Sequence, residues 1–167
     1  NLTPQNPAVF EPEIVARCAD AGVAVAFVGE LSKTHISGAT RWLESDKALL
    51  VLSLRHKSDD HFWFSFFHEA AHVLLHNKRK FFLDETNGAL NKQEEQANRF
   101  AADILIPKTA WAQFVRTGRF KKTAIRRFAR DQGVAPGIVA GRLQNEGLID
   151  WSWHNDLKRK LELKETS

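Results

Sequence analysis

The stretch FWFSFFHEAAHVLLH, residues 62–76, is almost wholly apolar and aromatic, yet it sets one carboxylate, Glu69, between two histidines, His68 and His72, four residues apart. It contains no glycine or proline, and apolar residues fall nearly all round a 3.6-residue period, so a buried central helix over 61–76 is expected. The polar run HKSDDH (56–61) leads into it, with Asp59 or Asp60 available as an N-cap. Such a helix excludes an ionised carboxylate unless the charge is paired or has a task, because an unpaired charge is costly to bury.

Residues four apart on a helix project from nearly one face, so His68 and His72 present imidazole nitrogens to one point. Two histidines so spaced, with a glutamate after the first, form the HExxH pattern of zinc hydrolases. Zinc accepts neutral imidazole nitrogen at about 2.0–2.1 Å, and a catalytic site keeps three protein ligands and an open position for water. Glu69 lies about 100° round the helix from His68, near that water and off the metal, where it can serve as general base. The plainer alternative, a pair of core histidines satisfied by hydrogen bonds, leaves the buried carboxylate unexplained.

A third ligand must come from elsewhere. Proteins of the HExxHxxGxxH pattern use a glycine and a third histidine, but Leu75 and Lys78 hold those positions here. His76 lies one further turn along, and three ligands at successive turns of one straight helix do not converge, so it reads as a surface or supporting histidine. The remaining solution is a glutamate from a second helix. The segment QEEQANRFAADILIP (93–107) has a strong helical pattern stopped by Pro107, and it carries Glu94, twenty-two residues after His72. Ala97, Asn98 and Ala101 follow on the same side and are small enough to let this helix approach Ala70 and Ala71. Glu95 competes, but it stands about 100° from Glu94, so only one can face the metal, and Glu94 is preferred.

Outward from this pair, PEIVARCADA (12–21) reads as a helix stopped by Gly22, and VAVAFV (23–28) as a buried strand. SGATRWLES (37–45) and KALLVLSLR (47–55) read as two antiparallel strands. NKRKFFLDETNGALNK (77–92) has turn residues and no sustained period and reads as a connection. PKTAWAQFVRTG suggests a short helix, and residues 122–149 read as helix, turn at Gly133, helix, then Gly147, a helix-turn-helix-like unit.

At 167 residues, with 43% hydrophobic and 26% charged residues, the chain has the length and composition of a globular domain. No eighteen-residue apolar run and no basic-then-apolar leader is present, so a cytoplasmic protein that does not meet a membrane is the expectation. The only cysteine, Cys18, rules out an internal disulfide, fits a reducing compartment and reads as core. The chain begins at Asn1 without a methionine, which suggests a piece of a longer protein. Net charge is +4 with a pI near 9.4, and much of the excess lies in RTGRFKKTAIRRFAR (116–130). That run reads first as a solvated helix face and second as a nucleic-acid contact.

Together, FFHEAAHVLLH and EEQANRFAADILIP resemble the ImmA/IrrE family of zinc metallopeptidases, whose pattern is HExxHxxxH followed by ExxA(N/D)xFAxxxLxP. SGATRWL, DDHFWFSFFHE and APGIVAGRLQNEGLI also resemble its members, so the likeness covers nearly the whole chain. The resemblance implies one zinc ion per chain held by His68, His72 and Glu94, with Glu69 as catalytic base. It implies an α+β, gluzincin-like domain (1–112) with a small antiparallel sheet and an active-site helix, followed by a helix-turn-helix-like segment (113–167) packed on it. Family members are often fused to or encoded beside a helix-turn-helix repressor, which some cleave to release stress, phage-defence or mobile-element genes; others are described as toxin–antitoxin components.

Gluzincins usually place a Tyr or His at the oxyanion. This chain has no Tyr, which leaves His35, His56, His61 and Arg41 as unranked candidates, each of which also reads as an ordinary surface residue. Asp103 faces away from Glu94, so no carboxylate partner for the second nitrogen of His68 or His72 is evident. The leading reading is a zinc endopeptidase acting on a partner repressor. The alternative is a DNA-binding or antitoxin-like regulator with a structural or sensory zinc, resting on Arg126, Arg127 and Arg130; against it, PGIVAGRLQNEG carries one basic residue, Arg142. An inactive zincin fold that only binds a protein would have no use for Glu69.

Overall fold

The computed structural model describes residues 2–29, 37–53, 58–76 and 87–161, with residues 87–90 by backbone alone. The described elements are α1 (Pro7–Asp20), β1 (Val23–Val28), β2 (Gly38–Trp42), β3 (Ala48–Ser53), α2 (Asp59–Leu75), α3 (Asn87–Leu105), α4 (Lys108–Arg116), α5 (Lys122–Gln132), α6 (Pro136–Asn145) and a 3₁₀ turn at Asn155–Leu157. This is an α+β architecture. Among the described residues no helix is long and apolar enough to cross a membrane.

The sheet corrects one expectation. It is mixed, in the order β1-β3-β2: β3 runs antiparallel to β2, as the sequence pattern indicates, but parallel to β1. The central place falls to the most buried strand, with Ala48, Leu50 and Leu52 turned into the core, while β2, with Thr40 and Arg41, takes an edge, where polar side chains are tolerated. A strand pair's direction is set by this tertiary burial, which local alternation does not encode.

The central helix departs from expectation at two points. Ser58 occupies its N-cap position without a side-chain cap bond, and Asp59 and Asp60 are its first two helical residues. Asp59 Oδ1 instead accepts from the backbone N–H of Asp60 at 3.0 Å and of Arg159 at 3.1 Å. Nor is α2 buried all round: Phe62, Trp63, Phe66, Glu69 and Ala71 face inward, while Phe64, Leu74 and Leu75 are exposed. The segment read as a connection over 77–92 becomes α3 at Asn87, and residues 77–86 lie outside the described ones. Asn91 and Lys92 are exposed, so this first stretch of α3 adds no apolar period to read.

α3 lies against α2 with Ala97, Ala101 and Ala71 fully buried between them. α6 packs on the other flank of α2 through Gly137 and Gly141, where a Cβ would stand 2.3 Å from Asp59 Oδ1 and 2.4 Å from Asp60 Oδ2 respectively. Small residues on both neighbours thus let α2 sit at the centre, and one hydrophobic cluster runs from Phe10 through β3, α2 and α6 to Leu161. Residues 3–5 and 158–159 meet at the foot of α2. The Arg159 guanidinium pairs with Asp59 Oδ2 at 3.0 Å and donates to the carbonyls of Thr3, Pro4 and Gln5, and Lys158 Nζ pairs with Asp60 at 2.7 Å.

Candidate metal centre

Because α2 and α3 approach closely, His68 and His72 on one helix meet Glu94 on the other, and one ligand atom of each lies within 4.8 Å of the other two. His68 Nε2 stands 3.2 Å and His72 Nε2 3.4 Å from the Glu94 carboxylate oxygens, and the two nitrogens are 3.1 Å apart. Four ligands held tetrahedrally at about 2.0–2.1 Å from a zinc ion stand about 3.3–3.4 Å from one another. The three separations are close to those edges. Glu95 is exposed and not part of the group, and Asp103 faces Arg142 at 4.0 Å instead.

The outer nitrogens select the tautomer of each neutral ring. His68 Nδ1 donates to Asn98 Oδ1 at 2.9 Å, since an amide oxygen only accepts. His76 Nε2 donates to Gln96 Oε1 at 3.4 Å, which leaves His76 Nδ1 to accept from His72 Nδ1 at 2.9 Å. In the neutral rings both Nε2 atoms then point lone pairs at each other and at a carboxylate. Three acceptors converging without a donor fit a cation, and two imidazoles with one carboxylate are a donor set that suits zinc. Burial pushes the His72 pKa down, with His68 and His76 adding to this and Glu94 opposing it, which favours the neutral, metal-binding form.

Glu69 is buried, with 8% of its surface exposed. It turns away from α3 towards β2, where Thr40 Oγ1 donates to its Oε2 at 2.8 Å. Gly38, on the same face of the strand, leaves it room: a Cβ there would stand 2.6 Å from Glu69 Cγ. Burial pushes the Glu69 pKa up and Glu94 adds to that, while the Thr40 hydrogen bond and His68 pull it down. A carboxyl raised in this way is a better proton acceptor from water.

Thr40, Gly38, Asn98 and Gln96 were not anticipated as supports of this group. Asn98 and Gln96 lie on α3 within one turn of Glu94, so helical spacing contained a hint; Thr40 and Gly38 come from a strand that no local pattern links to Glu69. Of the oxyanion candidates, His35 and His56 lie outside the described residues. Arg41 follows Thr40 on β2, so strand alternation turns its exposed side chain away from Glu69. His61 is exposed and stands two turns of α2 before His68.

Two imidazoles and a carboxylate on facing helices, beside a buried carboxyl one residue after the first imidazole, are the layout of an HExxH metal-dependent hydrolase. A family model described as Peptidase_M78, IrrE N-terminal-like domain, matches residues 22–144, most of the chain. The chain belongs to this family of zinc metallopeptidases and is a metallopeptidase by that membership. Comparison with curated proteins finds no match.

Proposed function

We propose that the chain is an endopeptidase in which His68, His72 and Glu94 hold one zinc ion and Glu69 is the general base, and that its substrate is a partner helix-turn-helix repressor. The observation that carries the catalytic part is the position of Glu69: buried, held by Thr40, adjoining the His/His/Glu group yet outside it. Zinc, when bound, supplies Lewis acidity that polarises a carbonyl and acidifies water. Glu69 takes the proton of the attacking water and returns it to the leaving amine, which a carboxyl of raised pKa does more readily. Thr40 fixes the carboxylate's direction, and Asn98 and His76 hold the imidazoles in the tautomer that faces the metal. The repressor as partner rests on the sequence likeness and on the linkage of such peptidases to transcriptional control.

The test is elemental analysis of the wild type beside His72→Ala and Glu94→Ala, followed by incubation of the wild type and Glu69→Gln with the repressor encoded nearest the gene. Near-stoichiometric zinc, lost in both ligand variants, is expected. Glu69→Gln should keep zinc and fold while cleavage falls by about 10²–10⁴-fold. Full cleavage by Glu69→Gln would remove the base assignment, and a wild type that takes up no metal would remove the centre.

The regulator alternative gains little from the fold. α6 would have to read base edges, yet it buries Gly137, Ile138, Val139, Ala140, Leu143 and Gln144. The exposed Arg126, Arg127 and Arg130 of α5 leave backbone contact with a nucleic acid as the form such an interaction would take.

A further inference from the structure

Beside the metal centre, α2, α3 and α6 enclose a cavity of about 280 Å³, near the small end of ligand pockets. Asn98 forms its near end, and Asn98 is the residue that holds His68. Phe64, one turn before His68 with ring centroids 6.3 Å apart, forms the adjoining wall. The cavity thus adjoins the centre through Asn98 and Phe64, although none of the three metal-facing side chains lines it.

The charged groups of its lining are already paired, although Asp60 Oδ1 itself accepts no hydrogen bond. Arg142 donates to the carbonyls of Ala102 and Ile106 and to Glu146, whose other oxygen accepts from Trp111. Asp60 is paired with Lys158. Of the two lining carboxylates, Glu146 is thus paired within the lining by Arg142, and Asp60 from outside it by Lys158. Most of the rest is apolar: Leu105, Ile106, Ile138 and Ala102, and at the edge two aromatic rings, Phe64 at 37% exposure and Trp151 at 60%, with the Asn145 amide the polar exception. Exposed rings around a concave apolar site point to a missing apolar occupant.

We propose that this cavity is the specificity pocket of the peptidase and takes a large apolar side chain, of the leucine or phenylalanine class, from a residue flanking the scissile bond. The proposal rests on the metallopeptidase reading of the adjoining centre. A basic side chain is disfavoured because both lining carboxylates already have cationic or N–H partners, and a small one leaves Phe64 and Trp151 uncovered.

The test uses the zinc-loaded protein and amino-acid hydroxamates, which share one metal-chelating group and differ in side chain. Calorimetric titration with the glycine, leucine, phenylalanine and lysine hydroxamates is expected to rank leucine and phenylalanine on the order of thirtyfold above glycine, the effect of burying one such side chain. Ala102→Phe, which fills the cavity from α3 and touches no metal ligand, should abolish that preference while glycine hydroxamate binding and zinc content stay as in wild type. Trp151→Ala, at an exposed position that does not endanger the fold, should reduce the preference about threefold. Equal binding of glycine and leucine forms, a preference for the lysine form, or a preference that survives both substitutions overturns the pocket while the centre stands. Failure of glycine hydroxamate to bind the zinc-loaded wild type overturns the centre and the pocket with it.

Discussion

Gly38 and Glu69 meet where an edge strand crosses the central helix, and the fit leaves no room for a methyl group, since an added Cβ would lie 2.6 Å from Cγ and 2.9 Å from Oε1 of the glutamate. Gly38→Ala is therefore expected to displace the carboxylate and leave the three metal-facing side chains alone. Cleavage should fall by about tenfold to a hundredfold, the scale set by an ångström of misplacement, with zinc content unchanged on elemental analysis. Asp59 offers a pH test at a distance from the centre. Burial pushes its pKa above 3.8, with the neighbouring Asp60 adding to this and the hydrogen bonds and charge of Arg159 opposing. The folded state therefore holds that proton more tightly than the unfolded chain does. Below pH 3.8 the group has no linked effect. As pH rises from there through the raised value, stability falls, and above it the loss is constant. Chemical denaturation of the wild type and Asp59→Asn across that window should show the wild type losing stability relative to the variant as pH rises; a difference independent of pH would contradict it.

At the scale of elements, α2 is seated by what its neighbours lack. Gly141→Ala would set a Cβ 2.4 Å from Asp60 Oδ2 and 2.8 Å from its Cβ, and is expected to destabilise the fold by about 1–3 kcal/mol in urea unfolding. α5 is a separate matter, since its Arg126, Arg127 and Arg130 are exposed while α6 is largely buried. Any duplex binding should then be indifferent to sequence, and replacing the three arginines with glutamine should weaken it uniformly and flatten its salt dependence; discrimination between duplexes of different sequence would count against this. The elements themselves were largely legible, because each carries its own pattern or stop: the apolar runs of β1 and β3, Pro107 after α3, Gly133 with φ 70° after α5. The convergence of His68, His72 and Glu94 was legible for the same reason, one helical spacing and one run of small residues. The parallel pairing of β1 with β3, the reach of Thr40 to Glu69 and the partly open face of α2 were not, because each depends on residues far apart in the chain.

For the molecule as a whole, the decisive contact is the guanidinium of Arg159, which joins Asp59, at 0% exposure, to the carbonyls of residues 3–5. Arg159→Ala leaves a buried carboxylate without its partner and releases the carbonyls of residues 3–5, and should lower stability by about 3 kcal/mol. Combining it with Asp59→Asn should show strong coupling between the two in a double-mutant cycle, whereas simple additivity would mean that the pair does not act as a unit. The same junction makes the fold nearly a closed ring, since residues 3–5 and 159 are bonded neighbours although the chain passes through the entire domain between them. Continuity of the backbone there is dispensable in principle. A circular permutant with residues 2 and 161 joined by a short linker, reopened at Gly118, around which a side chain would meet nothing within 4 Å, should seat α2 between the same α3 and α6 from a chain that begins with α5.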